Sequence, residues 1–67
     1  MRDNKYSDIL TKLRTEKGKS RSEVAKAIGV TRFAIAMYER GERTPKDEIK
    51  RKLAKFYGKS VAYIFYA

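Results

Sequence analysis

Apolar residues return along this chain at helical intervals, and glycines cut the pattern into short pieces. Tyr6, Ile9, Leu10 and Leu13 recur at i, i+3, i+4 and i+7, one face of a helix over residues 5–17, and Gly18 after Lys17 is its stop. Ser20-Arg21-Ser22-Glu23 has the form of a capping box, in which serine and glutamate each satisfy an orphan backbone donor. It opens a second helix over 20–28 whose apolar face is Val24, Ala25 and Ile28, ended by Gly29. A third follows at once, capped by Thr31 and running to about Arg40, with Gly41 as its stop. Thr44-Pro45-Lys46-Asp47 reads as a threonine cap, a proline at the first helical position and an acid in the first turn of a fourth helix. Its apolar face is Ile49, Leu53, Phe56 and Tyr57, and Gly58 ends it. Ser60 caps a last short turn carrying Val61, Ile64 and Phe65, and the apolar tail Tyr66-Ala67 has no evident home within the chain. The pattern is therefore all-α. Helices this short are unstable alone, so the five must fold together as one domain over residues 1–67.

Two of them form a recognisable pair. Helices 20–28 and 31–40 are joined by a tight turn at Gly29-Val30, the helix-turn-helix arrangement, with Val30 expected to plug the angle between them. On a helical wheel Ala34, Ile35 and Tyr38 fall on the side of the third helix that faces the core. Arg32, Phe33, Ala36, Met37 and Arg40 fall on the other. A solvated face is ordinarily lysine, glutamate and glutamine; this one sets a phenylalanine, a methionine and an alanine between arginines. In a major groove Arg32 would reach guanine O6 and N7, and Phe33, Ala36 and Met37 would meet thymine methyls. The plainer alternative for Phe33 or Met37 is packing against a loop or a second subunit. Phosphates would be held by Arg21, beside the exposed amides that open the second helix, and by Thr31, Arg40, Arg43 and Lys46. Lys12, Lys50, Arg51, Lys52 and Lys55 are expected to be solvated charges.

Charge strengthens that reading. Seventeen basic and 8 acidic residues among 67 leave a formal +9, which attracts polyanions. The chain has neither cysteine nor histidine. Disulfides, cysteine–histidine zinc sites, histidine bases and thiol nucleophiles are all excluded. Asp8, Glu16, Glu23, Glu39 and Glu48 are accounted for by helix capping and surface pairing. The sequence thus reads as no enzyme, with no catalytic residue, cofactor, metal site or small-molecule ligand. The polar start Met1-Arg2-Asp3-Asn4-Lys5 is no secretory signal, and no apolar run approaches the ~20 residues of a membrane span. Cytoplasmic residence, at the nucleoid when bound, is the expectation.

The run from Ser20-Arg21-Ser22-Glu23-Val24-Ala25 through Gly29-Val30-Thr31-Arg32-Phe33 to Tyr38-Glu39-Arg40-Gly41 resembles the phage repressor and Cro-type (XRE-like) helix-turn-helix family. So does the ending, Thr44-Pro45, Leu53-Ala54-Lys55-Phe56-Tyr57-Gly58 and Ser60-Val61-Ala62-Tyr63-Ile64-Phe65. The resemblance implies a five-helix, lambda-repressor-like DNA-binding domain that commonly acts as a dimer on a two-fold operator. It implies DNA contacts for Arg21, Arg32, Phe33 and Met37, a backbone contact for Arg43, and structural roles for Glu39 and Gly41. The chain departs from the family at Arg21 and Arg32, where glutamine is frequent, and at Phe33, where small polar residues are. Larger members carry sensing or self-cleaving domains after the fifth helix, and none is expected in this sequence.

The expected function is sequence-specific binding of double-stranded DNA by a transcriptional regulator, with repression as the output. A DNA-binding antitoxin or protein-interaction adaptor on the same fold is the alternative, and a cationic membrane-active peptide is disfavoured by the capped, interrupted helices. The apolar stretch Ile64-Phe65-Tyr66, with Tyr63, is the candidate seam of a homodimer; its alternative is packing of the fifth helix on the first.

Overall fold

The computed structural model describes residues 5–66; residues 1–4 and the terminal Ala67 fall outside them. Five helices make up the described residues: α1 (Lys5–Lys17), α2 (Arg21–Ile28), α3 (Arg32–Glu39), α4 (Asp47–Tyr57) and α5 (Val61–Phe65). The first three begin and end within a residue of the positions their caps and glycines predict. Ser20 Oγ accepts from the Glu23 N–H at 3.1 Å, and Glu23 Oε1 accepts from the Ser20 N–H at 2.7 Å, completing the capping box. The same backbone hydrogen bond holds the Glu23 carboxyl below its ordinary pKa. Gly29 then turns the chain at φ +80°, and the amides of Gly29 and Val30 both donate to the Ala25 carbonyl. An L side chain is strained at that φ whatever the space around it, which is why the turn takes glycine.

The fourth helix begins later than its sequence suggests. Thr44 does not cap it and Pro45 is not its first residue: α4 opens at Asp47, with Lys46 at the cap position, extended at φ −66° and ψ 160° and making no side-chain capping bond. Two effects hold residues 42–46 out of the helix. Thr44 precedes a proline, which disfavours helical backbone there. Pro45 is buried and the Arg43 carbonyl accepts from the Tyr6 hydroxyl at 3.2 Å, so the loop is packed down on the domain. Asp47 and Glu48 place negative charge in the first turn, where the helix dipole favours it.

The core runs through every helix. Leu10 and Leu13 of α1, Val24, Ala25 and Ile28 of α2, Ala34, Ile35 and Tyr38 of α3, Leu53 and Ala54 of α4 and Ile64 of α5 are all buried together. Val30 packs against this cluster from the turn, as expected. Ile64 is among the most deeply buried side chains, so it is part of the core and not of an open seam. Phe65 is half-buried, its ring centroid 5.8 Å from that of Tyr6. The fifth helix thus packs on the first, and only Tyr63 and Tyr66 of the proposed seam remain exposed, at 50% and 65%. Lys50 is also not the solvated charge expected. Its ammonium donates to the Tyr66 hydroxyl at 3.0 Å and lies 5.4 Å from the Phe65 ring centroid, giving the tail a partner.

Candidate nucleic-acid interface

α3 is buried on one side by Ala34, Ile35, Tyr38 and Glu39. That fixes what the other side presents. Arg32 and Phe33 are exposed, Ala36 and Met37 are half-exposed, and Arg40 is exposed just past the helix end. Phe33 shows 66% of its surface to solvent. The Arg32 guanidinium carbon sits 5.2 Å from the Phe33 ring centroid, a cation–π contact that lays the cation along the ring. The four residues expected at bases therefore share one uncovered face.

The residues expected at the DNA backbone divide between the two ends of this helix. At its start, Thr31, Arg43 and Lys46 line one cleft of about 400 Å³ between α3 and the loop before α4. Thr31 Oγ1 accepts from the Ala34 N–H at 3.1 Å and so caps α3, leaving the hydroxyl proton free to donate elsewhere. The loop reaches this position because Tyr6 holds the Arg43 carbonyl. At the far end stand Arg21 and Arg40. Arg40 pairs with Glu42 at 3.3 Å, both side chains more than half exposed, a pair worth little in water. Arg21 Nε donates to Glu39 Oε1 at 3.0 Å while 43% of its side chain stays accessible. Eight helical residues span about 12 Å at 1.5 Å each, close to the width of the major groove. Cations thus stand at both ends of α3.

Glu39 organises the far end. Its side chain is 2% exposed, and it accepts from Arg14 Nε at 2.7 Å, Arg14 Nη2 at 3.2 Å and Arg21 Nε. Arg14 also donates Nη1 to the Lys19 carbonyl at 2.9 Å, so one guanidinium ties α1, the turn after it and α3 together. The hydrogen bond it donates to Glu39 raises the Arg14 pKa, against the opposing effect of burial. Beside this pair, burial and the Glu39 charge push the Tyr57 hydroxyl up to about 12. Glu39 has the structural role its family resemblance implies, and Arg14 is a partner that the sequence pattern does not single out. The available signal was position: Arg14 lies four residues after Leu10, on the buried stripe of α1.

The family model described as Helix-turn-helix matches residues 10–64. A cryptic phage CTXphi transcriptional repressor of Vibrio cholerae, RstR, is 42% identical over 57 residues, which is 85% of this chain and 51% of the relative. The chain belongs to the helix-turn-helix family. As a helix-turn-helix chain it spans about half the length of the curated relative it matches. Its all-helical architecture agrees with that membership, and the matched segment runs from Leu10 in the core of α1 to Ile64 in the core of α5. Among the described residues no helix is long and apolar enough to cross a membrane.

Proposed function

We propose that this chain is a sequence-specific reader of double-stranded DNA that regulates transcription, with repression as its output. α3 lies in the major groove. Arg32 donates to guanine O6 and N7, and Phe33, Ala36 and Met37 meet thymine methyls. Arg21 and Arg40 at one end of the helix and Thr31, Arg43 and Lys46 at the other hold phosphates and set the register. The observation that carries this reading is the outer face of α3, where a two-thirds exposed phenylalanine stands against an exposed arginine. The net charge of +9 supplies the long-range attraction. Membership of the helix-turn-helix family and similarity to a phage transcriptional repressor support repression, which occupancy of a promoter is enough to produce. This is a binding function and not catalysis, carried out by a single domain over residues 1–67 where the DNA is, in the cytoplasm.

Two copies acting on a two-fold site would place their α3 helices about 34 Å apart. Tyr63 and Tyr66, exposed beside α5, are the aromatic anchors for such a homodimer. The test is selection of bound duplexes from a random pool, followed by affinity against scrambled DNA at physiological salt. A two-fold symmetric site bound at least ~10³-fold more tightly than scrambled DNA is the expected result. Binding without a motif that vanishes as salt rises would reduce the charge to non-specific attraction and reject the proposal.

A further inference from the structure

A second surface takes no part in that reading. Between α2 and α4 lies an open cleft of about 510 Å³ whose apolar lining is Ala27 and the half-buried Phe56, over the buried Ile28, and whose rim carries Lys26, Lys52 and Lys55. Lys17 adds a fourth cation, its ammonium 5.3 Å from the centroid of the same Phe56 ring. No lining residue is acidic, and the cleft shares no residue with the one at the start of α3. The carboxylate paired with this group is Glu48, 3.6 Å from Lys52 in an exposed i,i+4 pair of little strength.

Two properties specify the occupant. The apolar floor calls for apolar cover, and the single-sign rim calls for carboxylates around that cover. A second copy of this chain, itself at +9, is repelled by such a rim. Nucleic acid would satisfy the lysines but leave Ala27 and the accessible part of the Phe56 ring without apolar contact. An amphipathic helix satisfies both requirements, with leucine-like side chains on one face and acids flanking them. We infer that the α2–α4 cleft is the docking site of an acidic amphipathic helix carried by a partner protein. Its apolar residues cover Ala27 and the half-buried Phe56 ring, and its carboxylates meet the four lysines. Docking there leaves the outer face of α3 open and lowers the positive charge of the whole domain, so it weakens attraction to a polyanion without occupying the reading surface.

The experiment uses a synthetic helix of about 18 residues, with leucines at i, i+3, i+4 and i+7 and glutamates between, and a scrambled peptide of identical composition. Amide shifts of labelled protein are followed at physiological salt. Expected are shifts centred on residues 26–29 and 52–56, and binding at least ~10-fold tighter than that of the scrambled peptide. The double variant Lys26→Glu/Lys55→Glu should weaken binding by at least ~10-fold, and the charge-matched Lys12→Glu/Lys59→Glu by less than ~3-fold. All four lysines are exposed, so both variants should keep the fold, which a thermal melt verifies. If the first pair melts early, Lys26→Ala/Lys55→Ala carries the same comparison. Shifts centred on α3, equal affinity for the scrambled peptide, or equal loss in the two double variants would overturn the inference. None of these outcomes depends on DNA, so they stand apart from the fate of the proposed function.

Discussion

The two faces of α3 each contain one residue in the wrong place by ordinary preference. Glu39 is an acid turned inward and Phe33 an aromatic turned outward. Charged side chains are seldom buried unless paired, and a large exposed aromatic asks for a partner. The inner exception is resolved within the chain, because Arg14 and Arg21 come to Glu39. The outer one, 66% exposed, has Arg32 beside it, and that arginine is itself exposed. An irregularity that the fold satisfies is structural. One that it leaves open points to something outside the fold, and here the surroundings are cationic.

Breaking the inner arrangement should have the largest effect. Glu39→Ala leaves the Arg14 guanidinium, 17% exposed, without its carboxylate, and a thermal melt should show a loss of about 3–4 kcal/mol. A variant as stable as the parent would mean that the pair has no net worth. Next comes a direct contrast of the faces. Ile35→Ala empties a core position and should cost about 3 kcal/mol, whereas Phe33→Ala should change stability by no more than ~0.5 kcal/mol while impairing DNA recognition. Equal destabilisation by the two would show that Phe33 is a packing residue. Third, Arg32→Ala should cost about 1–3 kcal/mol on the selected site and relax preference at one base pair. Arg21→Ala should weaken binding to all sequences and flatten the salt dependence. If Arg32→Ala lost as much on random DNA, the two arginines would have the same role and the assignment of base reading to Arg32 would fail.

The smallest effect is one of pH. Tyr57 is protonated more tightly in the folded state, at about 12 against an ordinary value of about 10. Below pH ~10 both states hold the proton and its stabilising effect is complete; as pH rises toward 12 the unfolded chain ionises first and that stability is lost. Tyr57→Phe should therefore lessen the alkaline decline of the melting temperature between these values. Parallel curves for the two proteins would disconnect Tyr57 from that decline.

Local chemistry was the legible part of this chain. The bounds of α1, α2 and α3 follow from caps and glycines because each such signal is settled within four residues. The start of α4 was misread for the same reason. Thr44-Pro45 has the local form of a helix opening, and beyond the restriction proline places on Thr44 it is the distant Tyr6 and the burial of Pro45 that keep the segment out of the helix. Arg14 with Glu39, 25 positions apart, and Lys50 with Tyr66, 16 apart, are tertiary meetings that no periodicity announces. The outer face of α3 is legible in the sequence, since a wheel assigns faces directly. The gathering of Thr31, Arg43 and Lys46 in one cleft at its start required the fold.

The hydroxyl of Thr31 serves two masters on the proposed docking. Its lone pair caps α3 through the Ala34 amide, and its proton is left for a phosphate. Aspartate caps a helix at least as well as threonine and complements the helix dipole with a full negative charge. An engineer seeking a hardier protein would be drawn to Thr31→Asp. The same exchange would remove the donor and set an anion against the polyanion, so the sturdier variant should be the poorer binder. At position 31, durability and affinity are competing traits, and threonine is the compromise that retains both.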